Sequence, residues 1–355
     1  MKRAVIFVLL LFVFAFPVSA EELYSVSGME EIEEALPDEA REIISDFDGD
    51  ITENLDAQGF FLLIADFMKN GLGEIFGVCC TLLALVLISS LMSSFSSTGT
   101  LQAVETVCML SACTVLITGA YSCINGAVET LKGTFAFMTA AVPVYMGIMV
   151  TASRPAGAAA TGGVLLTSCQ VMSTLVTFVL APIMNGYLAV GMCCAFAGEK
   201  GVSSLMNTVK KTGMWIYSLC TSVFLFLLSI NSVSSGAKDN LAMKTVKFVL
   251  GTTVPVAGAA LSESASTVAA SVSLLKGSAG IYIVVSVTVM LLPLVCSLIC
   301  WRISLLLIKN MSEIFSCSKL SALFSTCESV VALLLGFVLL SLALLIISMG
   351  VMIKL

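Results

Sequence analysis

Cys296 and Cys300, four residues apart, would share one face of a helix, the spacing at which two thiolates could begin a metal site. The rest of such a site is missing. The sequence holds 13 cysteines but no C-x-x-C pair and no histidine, which excludes a His-dependent zinc hydrolase and a Ser-His-Asp relay. The acidic run DFDGD at 46–50 is the other candidate for a metal. With Asp46 at position 1, its glycine falls at position 4 instead of 6 and position 12 is Ala57 instead of glutamate, so a solvated acidic turn is a better reading than a calcium loop. KGSAG at 276–280 is glycine-rich but lacks the preceding strand and the GK[ST] ending of a phosphate cradle. No metal, no cofactor and no enzymatic activity are expected.

The elements that would carry these residues are set by composition. Hydrophobic residues make up 58% of the 355 and charged residues 11%, which is the range of integral membrane proteins and not of soluble domains. The expected fold class is all-α, a polytopic helical membrane protein of about six to eight spans. Clear spans of near ~20 residues are Ile75 to Met92, Val107 to Ile124, Trp215 to Ile230, Ala279 to Trp301 and Val330 to Ile353. The uncharged region from Pro155 to Gly198 has room for two more, broken around Pro182. Most of the cysteines fall inside such runs, where a thiol is a small hydrophobe, so free thiols are expected.

Three sections follow from charge and hydropathy. Lys2 and Arg3, an apolar run from Ala4 to Phe16 and Val18-Ser19-Ala20 read as a signal peptide, 1–20, cleaved after Ala20. Residues 21–56 carry 14 acidic side chains and one basic, Arg41, and read as an exported acidic arm. In it Leu23, Val26, Met29, Ile32 and Leu36, then after Pro37 Ala40, Ile43, Ile44 and Phe47, give two short amphipathic helices suited to docking. The remainder, 57–355, is a polytopic membrane domain with 9 acidic and 14 basic residues, a balance suited to anionic lipid and giving no reason to expect nucleic acid. Its first segment, FFLLIADFMKNGLG, reads as an interfacial helix. Two basic connectors, at 201–213 and 302–324, read as surface-lying helices with Lys210, Lys211, Arg302, Lys309 and Lys319 on the polar side. Placing both in the cytoplasm requires an even number of crossings between them, and a third basic stretch at Lys238, Lys244 and Lys247 conflicts with simple alternation.

Val-Pro-Val occurs twice, at 142–144 and 254–256. Val142 and Val254 are 112 residues apart, as are Lys132 and Lys244, while Pro182 and Pro293 are 111 apart. This register favours a diverged internal duplication over roughly 100–200 and 212–312. In each copy the proline is followed by small residues, MVTASRPAGAAATGG and AGAALSESASTVAAS. Such stretches suit broken or re-entrant helices buried between others, as in transporter folds, or plain tight helix packing. The candidate broken-helix or packing positions are Pro143, Arg154, Pro182, Pro255, Glu263 and Pro293. Arg154 and Glu263 are also candidate intramembrane charges. Bulk at Ala158 or Ala259 should be harmful, whereas Leu335, in a Leu-rich span, should tolerate it.

The order of features resembles the stage III sporulation protein AE family of endospore-forming bacteria. The resemblance lies in the signal peptide with its arm, in VPVYMGIMVTAS with the following GAAATGG, and above all in LSESASTVAASVSLLKGSAGIYI at 261–283. It implies a membrane core component of a multiprotein channel between mother cell and forespore. The implied partners are a cytoplasmic ATPase, small membrane proteins, a ring-forming protein and a forespore-side protein, with the chain in the mother-cell membrane around the forespore. It supplies no active-site residues. The alternatives are a self-sufficient secondary transporter and a structural scaffold.

Overall fold

A computed structural model describes residues 29–37, 40–41, 57–95, 98–152, 154–197, 200–253 and 258–354. The elements among them are helical: α1 (Met29–Glu34), α2 (Ala57–Phe95), α3 (Thr98–Thr151), α4 (Pro155–Leu175), a π turn (Val176–Leu180), α5 (Ala181–Ala197), α6 (Lys200–Thr253), α7 (Gly258–Ile314) and α8 (Ser318–Lys354). Six helical stretches are long and apolar enough to cross a membrane: Ile75–Met92, Ala103–Thr151, Pro155–Ala195, Thr208–Ser234, Ala279–Ile314 and Ser318–Lys354. The signal peptide, the DFDGD run and Pro255 lie outside the described residues.

α8 is the centre of the bundle. It packs on α7 most extensively and also on α6, α3, α5 and α4, and Val330, Val331, Ala332, Leu333, Leu334 and Leu335 are buried in succession. A helix that is apolar all round fits such a position, because every one of its faces meets another helix. Leu335 is thus a core residue, not the tolerant lipid-facing position expected from its Leu-rich surroundings. Ala158 is buried as expected; the side chain of Ala259 lies outside the described set.

Proline acts differently at each site. α3 continues through Pro143 and α7 through Pro293, so neither breaks its helix. Pro182 follows the π turn inside one continuous rod from Pro155 to Ala197, instead of separating two crossings. A wider turn relieves the clash between a proline ring and the preceding carbonyls. The break falls at Ala152–Arg154. There Arg154 N–H donates to Met149 O at 3.0 Å, an i to i−5 closure, and Pro155 opens α4 at its first turn. The residue before a proline is pushed out of the helical region, and Arg154 has φ −126 and ψ 53.

Three surface expectations change as well. The stretch at 60–73 is the start of α2 and runs on into its span without a separate interfacial helix. The connector at 201–213 is the start of α6 and runs on into its span, again without a separate surface-lying helix. Residues 302–324 form the closed end of the α7–α8 hairpin, turning at Phe315–Cys317, instead of one surface-lying helix. Cys317 N–H donates to Ser312 O and Ser316 N–H to Glu313 O, the paired bonds of a Schellman end, and Ser316 takes the left-handed position with φ 57. The arm does dock, but within the chain: Ile32, Leu36 and Ala40 enter the core and α1 packs on α3. Arg41 closes α1 by donating to the carbonyls of Glu33 at 3.0 Å and Glu34 at 3.1 Å.

The succession of a 54-residue helix and a second long helix occurs twice, α3 with the α4–α5 rod and α6 with α7. α3 and α6 begin and end 102 residues apart, about ten fewer than the Val-Pro-Val register. Pro143 sits inside α3, whereas Pro255 lies outside the described residues.

Candidate functional site

The polar groups of the interior come first, since an ionisable or hydroxylic side chain between apolar helices must find a partner there. Arg302 of α7 donates through Nε to Glu328 Oε1 of α8 at 3.3 Å, with side chains 29% and 16% exposed. Tyr187 of α5 lies beside Glu328 and Ser329. The group ties three helices together where the apolar part of α8 begins. Nearer the hairpin turn, Lys319 Nζ meets Glu105 Oε2 at 3.0 Å across α8 and α3, and Ser321 donates to Glu313 at 3.1 Å. Glu105 is therefore a paired residue. Deeper in the bundle, the Tyr217 hydroxyl of α6 bonds Ser341 of α8, while its ring packs edge-on against Phe337 at 4.8 Å. The Tyr145 hydroxyl of α3 is buried with no hydrogen-bond partner among the described residues.

Close approaches set the relative depth of the helices. A Cβ on Gly119 of α3 would lie 2.6 Å from the Trp301 ring of α7, and one on Gly280 of α7 would lie 3.1 Å from the Tyr145 hydroxyl. The stretch of α3 from Gly119 to Tyr145 thus runs beside the apolar 280–301 stretch of α7. Glu129 and Lys132 lie on that part of α3.

Eight positions of that region and the turns below it face outward: Ser122, Asn125, Glu129, Lys132, Ala136, Ala140, Pro143 and Gly147. They recur at three- and four-residue intervals and so form one stripe. No large hydrophobic residue is exposed between Tyr121 and Val150. The rod packed on α3 has a mixed surface, with Ala159, Gly163, Thr167, Gln170, Thr174, Pro182, Gly186 and Ala189 exposed beside the large hydrophobic Val171, Phe178 and Val190. The outward side of α6 is the opposite of the α3 stripe: Val209, Trp215, Ile216, Leu219, Val223, Phe226, Leu227, Ile230 and Val233. Lipid suits the α6 surface and not the α3 stripe.

The sequence candidates take separate environments. Pro143 and Pro182 are exposed on their helices, Pro293 is half-buried, and Arg154 occupies the α3–α4 turn. Glu263 lies in α7 with its side chain outside the described set, and Pro255 lies outside the described residues altogether. All thirteen cysteines are free thiols. Sequence reading missed Glu328, although an acid at the start of an apolar span is the usual sign of an intramembrane pair. It also passed over Glu129, which shares a face with Lys132 one turn on.

Helices of this length and hydropathy around a central α8, with an interior polar lock and no catalytic constellation among the described residues, define a polytopic α-helical membrane protein. The model of the stage III sporulation protein AE family matches residues 40–354. The chain belongs to that family, which gives it a role in sporulation. One curated relative, stage III sporulation protein AE of Bacillus subtilis (strain 168), is 22% identical over 158 residues, covering 44% of this chain and 40% of the relative. The aligned part is well under two thirds of that relative. No solved structure matches the chain.

Proposed function

We propose that the chain is the membrane core component of a multiprotein channel or secretion-like complex that sustains the engulfed forespore. The observation that carries this reading is the outward stripe of α3, on which Glu129, Lys132 and small residues face outward beside the apolar 280–301 stretch of α7. Charges there are costly unless protein or water covers them. A core that assembles with others meets that requirement.

In this proposal the chain sits in the mother-cell membrane around the forespore. Residues 1–20 are removed on export, and the acidic arm, 21–56, faces the space between the two membranes. The basic stretches on the other side meet a cytoplasmic ATPase. Small membrane proteins, a ring-forming protein and a forespore-side protein complete the assembly, and no catalytic step belongs to this chain. The Arg302–Glu328 pair at the start of the apolar run of α8 favours one alternative, a self-sufficient secondary transporter, because such pairs serve proton or ion relays.

Purification from sporulating membranes tests the proposal. The expected result is recovery together with several other membrane components and the ATPase, and small, failing forespores when the gene is deleted. Recovery of the chain alone, with normal sporulation after deletion, would overturn it. Solute uptake by the chain reconstituted by itself would establish the transporter reading instead.

A further inference from the structure

We infer that the outward stripe of α3 is the contact surface for a second copy of this chain, pairing the two α3 helices in parallel about a two-fold axis along the membrane normal. The inference draws on the same stripe as the proposed function, but its test reads pairing of this chain with itself, which co-purification of other components does not.

Three features of the stripe select the occupant. Glu129 and Lys132 are opposite charges one turn apart, both exposed, and neither makes a hydrogen bond or ion pair among the described residues. Their axial separation is ~4.5 Å. In a parallel two-fold pair, Glu129 of each copy therefore reaches Lys132 of the other, so that one contact neutralises four charges. A two-fold interface must be self-complementary in this sense.

Below the charges come Ala136 and Ala140, then Pro143 and Gly147, all outward. Small residues four apart let two backbones approach closely, the usual basis of helix association in membranes. Pro143 has no amide hydrogen, so the Thr139 carbonyl loses its ordinary helical donor, and lipid offers no substitute. Water is a poorer occupant of this half, because alanine and glycine present no polar groups to a water-filled path. Lipid is a poorer occupant of the upper half, because it leaves Glu129 and Lys132 exposed at the depth of the apolar 280–301 stretch of α7.

Crosslinking in lipid nanodiscs and native membranes tests the pairing. In a full-length chain with its native cysteines replaced, Ala140→Cys should oxidise to a covalent dimer and Phe226→Cys on the outward side of α6 should not. Glu129→Lys should lower the Ala140→Cys dimer about tenfold by facing like charges, and Glu129→Lys combined with Lys132→Glu should restore it. Where the cysteine-free chain fails to insert, benzoylphenylalanine at position 140 of the native chain gives the same readout, a product of doubled mass. The inference is overturned by equal crosslinking at 140 and 226, by a product of some other mass, or by failure of the double charge exchange to restore dimer. It is equally overturned if Ala140→Cys stays monomeric and reacts readily with a membrane-impermeant thiol reagent, since the stripe then lines water.

Discussion

α3 and α6 are both 54 residues long and both pack on α8, and the first part of α3 turns out Val107, Leu110, Ile117 and Tyr121 much as α6 does, yet beyond Tyr121 their outward sides part. α6 turns nine large hydrophobic residues away from the bundle, and only 17% of its apolar window is buried. α3, across its lower half, turns out serine, asparagine, a charge of each sign, alanine, proline and glycine. Hydropathy averaged along the helix hides the difference, because the inward face of α3 supplies enough apolar residues to qualify it as a span. Which solvent a membrane helix expects is written on its outward face alone.

Substitutions on the two faces should break the comparison if it is wrong. The largest effect is expected for Ala140→Phe on α3, which should reduce sporulation to the level of a deletion strain, while Phe226→Ala on α6 should leave spore counts near wild type. Similar counts for the two would remove the distinction between the faces. Next in size is a contrast of depth: Leu335→Ala in α8 should cost ~2–5 kcal/mol in a denaturant titration of the purified protein, and Leu219→Ala on the outside of α6 within ~0.5 kcal/mol.

The buried tyrosines sharpen the comparison on the inward side. Tyr217→Phe on α6 should cost ~1 kcal/mol through the lost bond to Ser341, and Tyr145→Phe on α3 should cost nothing or raise the midpoint, since its hydroxyl has no partner to lose. A small effect is expected for Lys319→Ala. Its pair with Glu105 is 47% and 31% exposed, and such pairs contribute ~0–1 kcal/mol, less in high salt. A larger loss would mean that the α7–α8 turn is drier than its exposure indicates.

Much of this architecture is legible in the sequence, and the illegible part has physical causes. Ile75–Met92 is found as read, since hydropathy over ~20 residues is a sufficient signal for a span. The stripe of Ile32, Leu36 and Ala40 likewise turned inward, as its periodicity required. Pro143 and Pro293 could not be read as unbroken, because a proline in an apolar helix is tolerated or not according to what its neighbours supply. Leu335 failed for a related reason: leucine suits lipid and core equally, so only the packing of α8 assigns it. The Arg302–Glu328 pair depends on a hairpin closing between two residues that the sequence places in different segments. The stripe on α3 becomes visible only once the opposite face is known to be buried.

Site-directed nitroxide labelling in lipid bilayers measures the central contrast directly. With labels at positions 140 and 226, collisions with oxygen report lipid and collisions with a water-soluble nickel chelate report water. A protein-covered α3 and a lipid-facing α6 require a label at 226 that is mobile and open to oxygen, and a label at 140 that is immobilised and shielded from both quenchers. An oxygen accessibility at 140 equal to that at 226 would contradict the account, because α3 would then face lipid like any other span.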